Sequence, residues 1–144
     1  MTTTSGSAKW QGGIKDGKGA ISTKSGALSE YPYGFASRFE GKPGSNPEEL
    51  IGAAHAACFT MAFSFACDKA GFATTAVDTD AKVRLAKQGE GFLIDRIALK
   101  LQATVPGMDE ARFQQIAQEA KKNCPLSKAL ASVPSIELTA TLRN

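Results

Sequence analysis

Hydrophobic and polar positions follow three different rhythms along this chain. Residues 1–45 keep no sustained period: the short apolar pieces SAKWQGG, GAISTKS and GALSEYPYGF sit between the turn sequences GG, DGKG and SG. They predict short strands or an extended arm, with too few large apolar side chains to close a core alone. Residues 46–70 are apolar at helix length. Asn46 is a natural N-cap, Pro47 suits the first helical position, Glu48 and Glu49 complement the helix dipole, and Gly71 ends the run. The prediction is a helix of roughly 22 residues, about 33 Å long. Residues 75–105 switch to alternation: VDTDAKVRLAKQ and FLIDRIALKLQATV, joined by QGEG, predict a hairpin. Asp109 then caps an amphipathic helix, EARFQQIAQEAKKN, with Phe113, Ile116, Ala117 and Ala120 on one face. That helix and a short helical turn, LSKALAS, occupy 109–131, and an alternating strand, SIELTATL, lies in 135–143. This order predicts one α+β domain over 1–144.

The central helix decides the assembly. From Leu50 to Cys67 it is almost free of charge, and a helix apolar on nearly all sides is buried on nearly all sides. Gly52, Ala53, Ala54, Ala56 and Ala57 let another backbone approach closely. One chain of this size cannot cover such a helix all round, so a homodimer with the central helices paired in its core is expected.

Charge and composition narrow the function. Seventeen basic and 14 acidic residues give a net charge of +3, spread along the chain, which disfavours nucleic acid and anionic membrane as partners. No stretch reads as a membrane span and the polar N-terminus does not read as a signal peptide, so a cytoplasmic location is expected. The 3 cysteines, Cys58, Cys67 and Cys124, form no CxxC or zinc-finger spacing. In a reducing compartment a disulfide among them would be transient and catalytic.

Cys58 lies in HAACFTMAF, one helical turn after His55, the only histidine. Position alone leaves it open between a small buried hydrophobe and a nucleophile. Cys67 falls on the opposite face of the helix and reads as core. Cys124, in CPLS, stands at the N-cap of a short helix with proline at N1. Amide dipoles there favour a thiolate, so it reads either as a corner residue or as a thiol exposed to a partner. One histidine and two cysteines are too few for a convincing metal site, and His55 reads as a buried group with a hydrogen-bond partner. Arg38 reads as a solvated strand residue and Glu48 as a dipole-favoured carboxylate, unless both serve a site.

NPEELIGAAHAACF, followed some sixty-five residues later by CPLS, resembles the OsmC branch of the OsmC/Ohr family, and YPYGFASRFEG fits the same branch. The resemblance implies an intertwined homodimer with long buried central helices flanked by antiparallel and mixed sheets. It implies a thiol-dependent peroxidase for organic hydroperoxides with two sites at the subunit interface, no bound cofactor or metal, and a dihydrolipoyl-type dithiol as external reductant. By position, Cys58 matches the peroxidatic cysteine, Cys124 the resolving cysteine, Arg38 the arginine that activates the first thiolate, and Glu48 the carboxylate that orients the arginine. The chemistry is coherent. A thiolate in apolar surroundings needs a compensating cation, a guanidinium stays charged, and a buried guanidinium needs a carboxylate. Glu48 and Cys58 are ten residues apart, about 15 Å along a helix. A composite site is therefore expected, with Cys58 and Cys124 from one chain and Arg38 and Glu48 from its partner. Phe35, Phe39, Phe59, Met61 and Phe63 supply apolar surroundings that suit organic hydroperoxides, but core packing explains them equally, so the substrate class is what the resemblance implies.

Two other functions fit parts of this pattern. A cysteine hydrolase would use Cys58 and His55 but has no use for Cys124. A non-catalytic domain binding a small molecule would use the apolar interface but leaves Cys124, Arg38 and Glu48 without a role.

Overall fold

Each rhythm of the sequence becomes a different kind of structure. The computed structural model describes all 144 residues. The chain forms two compact units, Met1–Leu50 and Ile51–Asn144.

In the first unit, β1 (Gly6–Gln11), β2 (Lys18–Thr23) and β3 (Tyr31–Tyr33) make an antiparallel sheet in that order. The Trp10 and Tyr33 rings meet at 5.6 Å on it, directly over Gly19, where any Cβ would collide with both rings. The unit's buried side chains are polar, namely Ser37, Ser45 and Glu48, in keeping with its shortage of large apolar residues. One element departs from the sequence reading. Phe35–Phe39 is a short helix, α1, not a strand. The Ser37 hydroxyl accepts from the Gly34 N–H at 2.9 Å and donates to the Ser45 carbonyl at 2.8 Å, closing a helical turn that hydrophobic periodicity does not reveal.

The central helix, α2, runs Pro47–Lys69. The Asn46 side chain accepts from the Glu49 N–H at 2.7 Å, the expected cap. In the second unit, β4 (Ala76–Gln88) and β5 (Gly91–Thr104) form the hairpin, with a bulge at Arg84/Leu85. Gly89 takes a φ of 59° at the first position of its two-residue turn, as a type II′ connection requires. Helices α3 (Glu110–Asn123) and α4 (Pro125–Ala129) follow, and β6 (Ser135–Leu142) pairs parallel to β5. A parallel neighbour needs a long crossover, which α3 and α4 supply. The core gathers Phe59, Phe63 and Cys67 of α2, Ile97, Leu99 and Leu101 of β5, and Phe113 and Ile116 of α3. The Phe63 and Phe113 rings meet edge to face at 5.5 Å. Gly52 allows the close approach foreseen for the small residues of α2: a Cβ there would lie 3.0 Å from the Ala81 carbonyl of β4.

One expectation about α2 changes. Its composition does reach the threshold for a membrane span, with a mean hydropathy of 1.6 over an 18-residue window. The alanine-rich faces raise the average, while Phe59, Phe63 and Cys67 are spent on the sheet and α3. As its length and composition implied, one chain does not bury the helix on nearly all sides. Met61 is 76% and Phe65 66% exposed, so a second apolar face stands open.

Candidate active site

The predicted site residues fall into two pairs. The first lies within Met1–Leu50. Arg38 projects from α1, and Glu48 occupies the first turn of α2. The Arg38 guanidinium donates from Nη2 to Glu48 Oε1 at 2.8 Å and from Nε to both carboxylate oxygens at 3.2 and 3.3 Å. Asn46 helps set this geometry, because its side-chain amide donates to the Ser37 carbonyl at 3.3 Å and so ties the end of α1 to the cap of α2. Glu48 is buried, and a buried carboxylate without its cation is costly. Arg38 also stands over the Phe39 ring, 5.3 Å from its centroid. Glu49 turns elsewhere and accepts from the Ser45 hydroxyl.

The second pair lies within Ile51–Asn144. Cys58 and Cys124 are 66 residues apart in sequence, and their sulfurs are 3.1 Å apart. α2 carries one and the α3–α4 corner carries the other, where Cys124 is both C-cap of α3 and N-cap of α4, with Pro125 at N1. All three cysteines are free thiols. Cys58 is half-buried, whereas Cys124 is fully buried in this chain. Of the two readings of Cys124, the corner residue is the one seen: the sulfur is turned inward at the α3–α4 corner, toward Cys58. Burial pushes the Cys58 thiol above its ordinary pKa, the backbone N–H of Leu126 pulls it down, and neighbouring Cys124 adds to the rise. No cation is among the groups acting on it. Cys67 lies in the core with its pKa pushed up to about 11, chiefly by burial and then by Asp68, which keeps it inert as a nucleophile.

His55 is fully buried, and its Nε2 is 2.8 Å from the Ser127 hydroxyl. Burial lowers its pKa, favouring the neutral ring. No three of the chain's His, Cys, Asp and Glu side chains are grouped to hold a metal ion.

An open groove of about 730 Å³ runs between α2 and α3 and reaches Cys58. Met61, Phe65, Ala66 and Ile116 form its apolar wall. Of the aromatic residues expected around the thiol, Phe59 and Phe63 instead face the core. Phe65 was missed by sequence reasoning, although its position on the face of Cys58 and Met61 at helical spacing was the available signal. Leu126 and Ser127 were also missed as site residues. Ser127 was visible as the last residue of CPLS, but nothing local to the sequence names its partner.

The comparisons with known proteins agree. A family model described as OsmC-like protein matches residues 39–139. Peroxiredoxin OsmC of Escherichia coli is 56% identical over 125 residues, covering 87% of each chain. An organic hydroperoxide resistance protein of Xanthomonas axonopodis pv. citri is 36% identical over 104 residues, covering 71% of this chain and 69% of that protein. Among solved structures, an OsmC-like protein from Mycoplasma pneumoniae superposes with a TM-score of 0.76 at 14% identity, covering 99% of both chains, and shares the fold. With the family model spanning Glu48, Cys58 and Cys124 and this degree of identity, the chain belongs to the OsmC family.

Proposed function

We propose that this chain is a two-thiol peroxidase that reduces organic hydroperoxides to alcohols, with Cys58 as the peroxidatic and Cys124 as the resolving residue. The observation that carries the reading is the 3.1 Å approach of two sulfurs held on different elements, with the third cysteine sequestered in the core. The relatives named peroxiredoxin and organic hydroperoxide resistance protein support the same chemistry. Burial supports this division of roles. The half-buried Cys58 borders the groove and meets the peroxide, while buried Cys124 is reached only by Cys58.

The Cys58 thiolate attacks the terminal oxygen of ROOH. The O–O bond breaks, Cys58 becomes a sulfenic acid, and RO⁻ leaves and takes up a proton to give the alcohol. Cys124 then attacks the sulfenic sulfur, water leaves, and a Cys58–Cys124 disulfide forms before further oxidation can occur. An external dithiol of lipoyl type returns both thiols and is itself oxidised to the cyclic disulfide.

The thiolate needs a cation, and Arg38, already oriented by Glu48, supplies it from a second copy of the chain. Two observations support this. Within Ile51–Asn144 no cation acts on Cys58, and the open apolar face of α2 with Met61 and Phe65 has the character of a surface that a partner covers. The enzyme is thus a homodimer with two composite sites, working in the cytoplasm. His55 does not serve as a hydrolase base for Cys58, because its Nε2 is engaged by Ser127 and its buried Nδ1 meets no donor, the Cys58 thiol included.

The reading is tested by adding one equivalent of cumene hydroperoxide to the reduced protein and mapping disulfides by peptide mass. A rapid Cys58–Cys124 bridge with Cys67 free is expected. Reduced Cys58 beside unconsumed hydroperoxide overturns the reading.

A further inference from the structure

His55 is unusual in its setting. It is a fully buried polar residue on a helix that is otherwise apolar from Leu50 to Cys67, apart from two hydroxyls, and the thiol chemistry has not used it. Its Nδ1 is buried without a hydrogen-bond partner in the chain. An unfilled buried N–H is rarer than an unfilled acceptor, so the proton belongs on Nε2, which donates to the Ser127 hydroxyl at 2.8 Å. With Nδ1 unpartnered, the bond to Ser127 is the one polar contact that holds this buried ring.

The bond lies in register with the thiol pair. His55 and Cys58 are three residues apart on α2, and Cys124 and Ser127 are three apart at the start of α4. The two elements face each other through two rungs, His55–Ser127 at 2.8 Å and Cys58–Cys124 at 3.1 Å. Between them the Leu126 N–H is directed at the Cys58 sulfur. α4 needs this anchorage. It has only 5 residues, begins with proline, and has no side-chain cap at Cys124. Its internal hold on the corner is the Lys128 N–H on the Cys124 carbonyl, at 3.1 Å. A segment this short does not stay helical on its own, so its position depends on what it is fastened to.

We infer that His55 is a positioning residue for the thiol cycle: through Ser127 it fastens the first turn of α4 to α2, holding Cys124 Sγ and the Leu126 N–H against Cys58 Sγ. This rests on Cys58 and Cys124 being the reacting pair. In the step concerned, the Cys124 thiol loses its proton and attacks Cys58–SOH, an S–S bond forms, the S–O bond breaks, and hydroxide takes up a proton to leave as water. Without the His55–Ser127 rung the attacking sulfur spends less time in line, and sulfenic acid persists.

The test uses Ser127→Ala, which removes one hydroxyl from a half-buried position, with His55→Leu, His55→Gln and the His55→Leu/Ser127→Ala double variant. Each reduced protein receives one equivalent of cumene hydroperoxide, and quench-flow with dimedone separates sulfenic acid formation from disulfide closure. Closure is expected to slow about tenfold in Ser127→Ala, the scale of one buried hydrogen bond, with dimedone-trapped Cys58 accumulating. The double variant should be no slower than either single one, and His55→Gln, whose amide N–H reaches the same hydroxyl, should recover most of the rate. Closure at the wild-type rate in Ser127→Ala, or defects that multiply in the double variant, overturns the inference while leaving the peroxidase reading intact. Wild-type protein that forms no Cys58–Cys124 bridge removes both. If His55→Leu does not fold, Ser127→Ala and His55→Gln still decide the matter.

Discussion

A subunit-complementation experiment tests the composite site most directly. The perturbation is a pair of variants, Cys58→Ser and Arg38→Met, each predicted to be inactive for a different reason. Cys58→Ser lacks the nucleophile. Arg38→Met keeps it but loses the cation. Burial already raises the Cys58 thiol with only the Leu126 N–H opposing. A cation a few ångströms from a thiol shifts its pKa by roughly 1–3 units, so its loss lowers the thiolate fraction at neutral pH by about 10- to 1,000-fold. The charge on the departing alkoxide loses its partner as well, and a fall of at least about 100-fold in peroxidase rate is expected.

The two designs of the site then diverge. Glu48 holds Arg38 at 2.8 Å, and Glu48 precedes Cys58 by ten residues on one helix, about 15 Å of rise. If the cation comes from the second copy, a heterodimer of the two variants contains one fully defective site and one wild-type site. That intact site takes Cys58 and Cys124 from the Arg38→Met chain and Arg38 and Glu48 from the Cys58→Ser chain. With random exchange about half of the dimers are mixed and half of their sites work, so about a quarter of wild-type activity returns. Heterodimers purified through two different affinity tags should give about half. The assay is consumption of cumene hydroperoxide with a dithiol reductant. Purified heterodimers no more active than their parents would refute the reasoning, because Arg38 would then serve the thiol of its own chain.

Three further outcomes are expected. Glu48→Gln should leave the fold intact and lower peroxidase activity by about tenfold, because the guanidinium keeps only neutral acceptors to orient it; unchanged kcat/KM would remove Glu48 from the site. Cys124→Ser should consume about one equivalent of hydroperoxide per Cys58 in forming the sulfenic acid, and under excess peroxide a second, slower one in forming sulfinic acid, seen by mass, before stopping; sustained turnover with dithiol would show that Cys124 is dispensable. Cys67 supplies a pH signature. Its folded pKa of about 11 lies above the unfolded thiol value, so the native state holds the proton more tightly, and the stabilisation present below the unfolded pKa is lost as pH rises toward 11. Urea unfolding between pH 9 and 11 should show a loss of about 1.4 kcal/mol per pH unit that is absent in Cys67→Ala, and equal alkaline slopes in the two proteins would contradict the assignment.

The parts of this fold legible in the sequence are those whose cause is local. Asn46 and Asp109 cap their helices as read, with Asp109 accepting from the Arg112 N–H at 2.7 Å. The face of α3 formed by Phe113, Ile116, Ala117 and Ala120 is buried as its period required. The last strand occupies Ser135–Leu142, where alternation placed it. What failed had a non-local cause. α1 depends on the Ser37 hydroxyl reaching the Ser45 carbonyl across a loop, so periodicity over Phe35–Phe39 carried no sign of it. Phe59 and Phe63 were grouped with Met61 around the thiol because all lie within one turn or two of Cys58, yet helical rotation sends the phenylalanines to the core and Met61 to the groove.

That division of α2 also explains why the site was only half legible. Cys58 stands at the seam between the face fixed by the sheet and α3 and the face left open, and its neighbours come from both sides. From the fixed side come Cys124 and the Leu126 N–H, carried on a corner whose place no local pattern predicts. On the open side lie Met61 and Phe65, exposed in one chain. A core cysteine such as Cys67 needs nothing beyond its own helix face and reads correctly from periodicity. A reactive cysteine needs a peroxide path, a resolving thiol and a cation, which no single helix supplies. The residues around Cys58 therefore had to be recruited from distant positions, and under the composite reading from another chain. Under that reading, the requirement that makes the thiol reactive is also what hides its partners from a local reading of HAACF.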